Sequence, residues 1–316
     1  MNEPLRPDPI DEALAMRRSL PAGAIWPERR MRDGWPLRTV DWPEGRGSIL
    51  LLGGRGDFIE KFAEALHDWR RRGFAVASFD WRGQGGSGRL LADPQKGHSP
   101  GFDIWLADLD EQVAWFVATH PAPHFAVAHS MGGHLLLRCL ETRSGQVVRA
   151  VLLSPMCGLA AAPIGPWLAR QLASAAVALD FAESYAPGSG PLTRGVPGSL
   201  RQRRLTHDAD RYGDEGWWVD RQPELALGGV TSGWLHDAFG SLDALFEPGA
   251  LERVATPSLV LVAAEEALVD NAATARAVAR LPGARLEVIA GAAHELLRET
   301  DVLRLPVLDR IAAFLS

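Results

Sequence analysis

Cysteine is nearly absent. Cys139 and Cys157 are the only two in 316 residues, too few for a disulfide framework or a Cys-rich zinc site and suited to a reducing compartment. Residues 1–18 are polar and acidic with no apolar stretch behind them, so a signal peptide is not expected. No long unbroken apolar run exists either. The stretch Ala150–Ala169 carries no formal charge, but Pro155, Gly158, Pro163, Gly165 and Pro166 interrupt it, which a membrane-spanning helix would not tolerate. It reads as a strand running into an irregular segment. Repeats and low-complexity tracts are missing. Basic charge is not in excess: 33 Lys plus Arg against 39 Asp plus Glu leave a net charge of -6, which repels phosphate backbones and argues against nucleic-acid binding. A chain with 47% hydrophobic and 23% charged residues is expected to be a soluble globular protein, and the scarcity of cysteine makes the cytoplasm its expected compartment.

What is present is alternation. Short β-rich runs (Ser48–Leu52, Phe74–Phe79, Phe125–Ala128, Val147–Leu153, Ser258–Ala263, Arg285–Ala290) alternate with helical stretches, predicting an α/β protein with a mostly parallel central sheet and helices on both faces. Ahead of them, Ile25–Arg32 and Pro36–Trp42 flank the turn dipeptide Asp33-Gly34, which reads as a hairpin. Phe58, Phe62, Leu66 and Trp69 share one helical face, as do Leu106, Leu109, Val113 and Phe116, with Asp103 as N-cap of the second helix. Met131–Thr142 and Ala272–Leu281, the latter capped by Asn271, are further helices; Pro306 suits the first turn of a last one, Val307–Leu315. The alternation breaks from Ser154 to Ala250, far longer than an ordinary connection. The expected organisation is an N-terminal extension over 1–24, a core over 25–154 and 251–316, and an inserted helical cap over 155–250. In that cap Trp167, Leu168, Gln171, Leu172, Ala175 and Leu179 lie near one helical face, read first as packing onto the core and second as an acyl-chain wall or a lipid-touching surface.

One segment carries chemistry. Phe125-Ala-Val-Ala-His-Ser-Met-Gly-Gly-His134 sets a serine between a strand and a helix with Ala128 and Gly132 at the ±2 positions. That arrangement predicts a sharp elbow with Ser130 at positive φ and its hydroxyl presented at the carboxyl end of the sheet. A serine hydroxyl needs a base, and the base an orienting carboxylate. His294, just past the last strand, is at the position for the base. After Ser258–Ala263 come Glu265, Glu266 and Asp270; Glu266 is the first choice for the acid and Asp270 the alternative. Two backbone N–H groups are needed for an oxyanion: Met131, following the serine, and Arg55, in the glycine-rich turn Leu51-Leu-Gly-Gly-Arg-Gly-Asp57. His129 and His134 are read as packed and locally hydrogen-bonded, His98 as pinning a loop, and Asp80 and Arg82 as bracing the loop after their strand. Gly83-Gln-Gly-Gly-Ser-Gly88 matches a dinucleotide fingerprint in form, but Pro94 precludes the immediate helix such a site requires.

With these residues in view, the chain resembles an α/β-hydrolase of the lysophospholipase and monoacylglycerol lipase branch. The resemblance rests on Asp33-Gly34, Gly54-Arg55 with Glu60-Lys61-Phe62, Asp80-Trp81-Arg82-Gly83-Gln84-Gly85, Ala128-His-Ser-Met-Gly-Gly133, Val269-Asp270-Asn271 and His294-Glu295. It departs at Gly53, where relatives often have histidine, and at Ala128, which replaces the first elbow glycine. The resemblance implies an α/β-hydrolase fold with a lid-like cap and a cofactor-free, metal-free serine hydrolase. It implies Ser130, Glu266 and His294 as the triad, Arg55 and Met131 at the oxyanion hole, and a monoacyl lipid ester as substrate. A short-chain ester, amide or thioester on the same triad is the alternative, and a non-catalytic binding protein a further one. Peripheral membrane contact stays open in this reading, as does the oligomeric state.

Overall fold

A computed structural model describes residues 9–192 and 196–316; residues 1–8 of the expected N-terminal extension and 193–195 of the expected cap lie outside it. After helix α1 (Pro9–Arg17) the chain forms β1 (Glu28–Arg30), β2 (Pro36–Trp42) and β3 (Ser48–Leu52), then α2 (Ala63–Arg71), β4 (Ala75–Phe79), α3 (Phe102–Thr119), β5 (His124–His129), α4 (Met131–Arg143) and β6 (Arg149–Leu153). Among the described residues four helices follow with no strand between them: α5 (Pro166–Ala178), α6 (Leu200–Leu205), α7 (Ala209–Arg221) and α8 (Ser232–Leu245). The alternation resumes with β7 (Ser258–Ala263), α9 (Asn271–Val278), β8 (Ala284–Ile289) and α10 (Asp301–Leu315).

The strands form one sheet in the order β1-β2-β4-β3-β5-β6-β7-β8. The β1/β2 and β2/β4 pairs are antiparallel and the other five parallel. Side chains alternate between two cores, as the period of a strand requires. Leu50, Leu52, Ala126, Leu152 and Val260 pack under Trp105, Leu109 and Phe116 of α3 and Leu135 of α4. Ile49, Leu51, Val127, Val151 and Leu261 pack under Leu66 and Trp69 of α2 and Val307 and Ile311 of α10. Both faces are covered, so β3, β4 and β7 are buried along their whole length, which is why they read as continuous apolar runs. Because β3, β5, β7 and β8 are parallel, the turns at their carboxyl ends gather on one edge of the sheet.

Several local expectations are corrected. The first hairpin strand is confined to Glu28–Arg30, because Pro27 has no N–H for the ladder; Ile25 makes a separate bridge to Asp41. Phe58 precedes a 3-10 turn, Ile59–Phe62, and the α-helix begins only at Ala63. Gly101, at φ 97°, is the N-cap of α3, and Asp103 stands exposed in its first turn, where its charge suits the helix dipole. Asp270, not Asn271, caps α9: its Oδ1 accepts from Ala272 N at 2.8 Å, while Asn271 Nδ2 donates to Ala263 O at 2.8 Å. The last helix starts at Asp301, which places Pro306 in its interior. Pro306 faces solvent, where water can satisfy the carbonyl its ring leaves unbonded. Finally, α5 packs on α8 with Ala169 against Phe239 and Leu242, and its only buried residues are Ala169 and Ala173, not its larger ones. Trp167 (72%) and Leu179 (68%) are exposed, with Leu168 and Leu172 beside them, so packing onto the core does not explain that face. Gly83–Gly88 leads into turns and bends, with no helix before Phe102.

Candidate active site

Ser130 adopts φ 51°, ψ -116° between β5 and α4, the left-handed, strained conformation predicted for an elbow. Leu153 O accepts from its N–H at 3.0 Å, and its carbonyl accepts from Met156 N at 3.0 Å and His134 N at 3.2 Å. The elbow is tight. A Cβ on Gly132 would come within 2.4 Å of Gly53 O, and one on Gly54 within 3.0 Å of Ser130 Cβ. Ala128, fully buried in β5 opposite Leu52 and Leu152, shows that the elbow accommodates the methyl group in place of the first glycine.

Ser130 Oγ lies 3.0 Å from His294 Nε2, and His294 Nδ1 lies 2.7 Å from Glu266 Oε2. The serine hydroxyl therefore donates to Nε2, with the ring proton on Nδ1 facing the carboxylate. Glu266 folds back into its own turn, where Oε1 accepts from the N–H groups of Ala267, Leu268 and Val269 at 3.0, 2.8 and 3.3 Å. Burial pushes its carboxyl up. The hydrogen bond and charge of His294 and these N–H groups outweigh that and hold it below the ordinary glutamate range. Its side chain is 2% exposed, against 37% for the alternative acid Asp270. Asp270 caps α9 and does not bond His294; Glu265 reaches His207 instead, at 3.3 Å.

The turn after β3 is fixed from both sides. Gly53 O accepts from Trp81 Nε1 at 2.8 Å, and Gly54 N donates to Asp57 Oδ2 at 2.6 Å. A Cβ on Gly53 would meet Asp57 Cβ at 3.0 Å, so Asp57 occupies the space against this glycine. The N–H groups of Arg55 and Met131 bond no protein group among the described residues. The other singled-out residues do structural work: His134 bonds Ser241 at 2.7 Å, His98 bonds Thr231 at 2.8 Å, and Arg82 bonds Asp33 and Asp108. Asp80 accepts from the N–H groups of Ile59 and Gly86. No group of three metal-ligating side chains occurs among the described residues.

Sequence reasoning missed the charged layer behind these residues. Lys61 Nζ, buried, lies 2.6 Å from Asp57 Oδ1, 2.7 Å from Glu295 Oε1 and 3.4 Å from Glu215 Oε2 of α7. Asp57 Oδ2 also accepts from His129 Nδ1 at 3.0 Å, and the His129 ring lies 4.8 Å from that of His294. One ammonium thus ties the turn after β3, the histidine loop and the inserted helices together. Burial pushes the Asp57 and Glu295 carboxyls up, but Lys61 with His129, and Arg298 with Lys61, outweigh it: Asp57 is held well below the usual carboxylate range and Glu295 down to about 2. The available signal was the i,i+4 spacing of Asp57 and Lys61; the partner Glu295 is too distant in sequence to be paired with them.

A family model described as serine aminopeptidase, S33, of the Hydrolase_4 type, matches residues 43–301. Lysophospholipase L2 of Escherichia coli (strain K12) is 34% identical over 279 residues, covering 85% of this chain and 80% of that protein. The probable lysophospholipase L2 of Haemophilus influenzae is 32% identical over 278 residues, covering 86% and 84%. Among solved structures, a soluble variant of monoglyceride lipase from Saccharomyces cerevisiae in complex with a substrate analog aligns with a TM-score of 0.71 at 17% identity, over 92% of this chain and 95% of that one. At that identity the structural likeness bears on the fold alone.

Proposed function

The chain belongs to the Hydrolase_4 (serine aminopeptidase, S33) family of α/β-hydrolases, on its lysophospholipase and monoacylglycerol lipase branch, and from that premise we propose that it hydrolyses carboxylic esters of monoacyl lipids through Ser130, His294 and Glu266. The observation that carries the reading is the unbroken relay, 3.0 Å from Ser130 Oγ to His294 Nε2 and 2.7 Å from Nδ1 to Glu266, beside two N–H groups with no protein partner among the described residues.

Ser130 Oγ attacks the ester carbonyl as its proton passes to His294 Nε2, and Glu266 stabilises the resulting imidazolium. The N–H groups of Arg55 and Met131 hold the oxyanion of the tetrahedral intermediate. Collapse expels the alcohol, protonated by His294, and leaves an acyl group on Ser130. His294 then takes a proton from water, which attacks the acyl carbonyl, and returns it to Ser130 Oγ as the fatty acid leaves. Residues 155–250 act as a cap over this edge of the sheet. The exposed face of α5 with Trp167, Leu172 and Leu179 supports contact with a lipid aggregate. Among the described residues no helix is long and apolar enough to cross a membrane.

The test is a chain-length series of monoacyl esters with wild type and Ser130→Ala. Expected are kcat/KM values that climb with acyl length, since each buried methylene contributes about 0.8 kcal/mol, and loss of turnover in the variant by about 10⁴-fold or more. A preference for acetyl esters would replace the lipid reading with a short-chain esterase. Undiminished turnover by Ser130→Ala would remove the mechanism.

A further inference from the structure

The inference concerns which monoacyl lipids the site takes, and it rests on the hydrolase reading above. Several recessed arginines in this protein are held by carboxylates, Arg38 by Glu60 and Asp80, Arg82 by Asp33 and Asp108, Arg298 by Glu295, and Arg89 donates to the carbonyls of Gly85, Gly88, Pro94, Glu224 and Ala226. Arg55 differs from both kinds. Its side chain leaves the turn after β3 and crosses to the inserted helices, where Nη1 donates to Gly228 O at 3.0 Å and the guanidinium lies 6.0 Å from the Trp234 ring centroid. No carboxylate among the described residues is within ion-pair distance of it, and its remaining N–H groups bond no protein group there. Those groups are not sealed off, because Arg55 keeps part of its surface exposed although protein surrounds it. Burial, and then the nearby charge of Arg201, push its pKa down to about 10, so the side chain is cationic at neutral pH. A recessed guanidinium with free donors, whose nearby carboxylates Asp57 and Glu215 act on it only from beyond ion-pair distance and are held by Lys61, is a site for an anion.

Covalent geometry says which anion. In a 1-acyl glycerophospholipid the phosphorus is separated from the ester carbonyl carbon by the sequence O–C–C–C–O. The guanidinium carbon of an arginine is the same number of bonds from its own backbone nitrogen. With the Arg55 N–H on the oxyanion, the Arg55 side chain therefore has the reach to meet the phosphate of the same molecule. A monoglyceride offers only a neutral hydroxyl in that direction. A cavity of about 300 Å³ adjoins the contact, with Gln95, Leu192, Arg201, Tyr212, Glu215 and Asp220 in its wall; Gln95 O accepts from Gly228 N at 2.8 Å, next to the carbonyl that Arg55 binds. It offers room for the head-group alcohol. We propose that the Arg55 side chain binds the substrate's phosphodiester, so that the enzyme takes monoacyl glycerophospholipids in preference to monoglycerides.

The experiment compares kcat/KM for a 1-acyl glycerophosphocholine and the 1-monoglyceride of the same acyl chain, in the same detergent micelle, for wild type, Arg55→Met and Arg55→Lys. All three keep the backbone N–H. Wild type is expected to favour the phospholipid by about tenfold or more, the scale of one hydrogen bond to a charged group. Arg55→Met should bring that ratio close to one, and Arg55→Lys should keep part of it. Fluorophosphonate labelling of each variant reports an intact site; if Arg55→Met is not labelled, Arg55→Gln supplies the neutral variant. A wild-type ratio at or below one, or a ratio that survives the neutral variant, overturns the proposal while leaving the hydrolase reading in place. A wild type that is folded, unlabelled and inactive on both lipids removes both.

Discussion

Replacing Glu266 by glutamine removes one charge and leaves the shape of the site intact. The His294 Nδ1 to Glu266 Oε2 distance is 2.7 Å and both side chains are buried, at 4% and 2% exposure, so water does not take over the carboxylate's role. During attack by Ser130 the imidazole becomes a cation about 4 Å from that carboxylate's charge centre. At an effective dielectric of about 20 the lost attraction is about 4 kcal/mol, near a thousandfold in rate. A glutamine can also present its NH₂ to Nδ1, which favours the ring form with its proton on Nε2 and leaves Ser130 without a base; the comparable change in a Ser-His-Asp enzyme costs about 10⁴. The expected fall in kcat for Glu266→Gln is therefore about 10³ to 10⁴-fold, with KM little changed. Glu266→Asp should fall between, because the charge stays but the shorter stem cannot both reach His294 and accept from Ala267, Leu268 and Val269 as Glu266 does. Asp270→Asn is the control: asparagine still caps α9, so kcat should stay within about tenfold of wild type. The assay is steady-state hydrolysis of an activated acyl ester, with active sites titrated by fluorophosphonate. An inactive Asp270→Asn enzyme beside an active Glu266→Gln one would refute the assignment of the acid.

Three further outcomes follow from the packing. Lys61→Met leaves Asp57 and Glu295 buried without their shared cation, and urea unfolding should show a loss of about 3–5 kcal/mol, with Lys61→Arg losing less. The folded-state pKa values of Asp57, Glu266 and Glu295 all lie below the usual range, so the unfolded chain binds more protons in acid. Their contribution is thus complete above about pH 5 and is lost as pH falls toward about 2. Thermal unfolding between about pH 5 and pH 2, below the pH of about 6 where burial makes Asp80 titrate with the opposite sign, checks it, and a melting temperature that rises on acidification there would contradict it. Gly132→Ala puts a methyl group 2.4 Å from Gly53 O. It should cost about 1–3 kcal/mol and slow fluorophosphonate labelling, because the elbow and the turn after β3 must move apart.

The parallel core was legible because strands covered on both faces must be apolar throughout, as β3 and β7 are. The elbow was legible because Ser130 at φ 51° needs small neighbours, and Gly132 nearly touches Gly53 O. Helix starts were less so. Asp103 and Asn271 are both good capping residues, and tertiary contacts gave the caps to Gly101 and Asp270. For the face of α5 packing ranks ahead of an acyl-chain wall or lipid surface in the sequence, since helical periodicity reports an apolar face without saying what it meets; α8 takes Ala169 and leaves Trp167 exposed. The Lys61 layer joins Asp57 to Glu295 across 234 residues of separation from lysine to glutamate, and nothing local in a sequence announces a pairing of that kind. For the same reason the sequence ranks Glu266 first and Asp270 second as the acid without a contact to decide between them; the turn between β7 and α9 folds Glu266 toward His294, and the comparison of Glu266→Gln with Asp270→Asn tests the assignment.

The most direct measurement is the site of covalent modification. After reaction with a fluorophosphonate, mass spectrometry of the digested protein should find a single adduct on the peptide that contains Ser130, formed at least about a thousandfold more slowly in His294→Ala. A folded wild type that takes up no label, or takes it at another serine, would contradict the account.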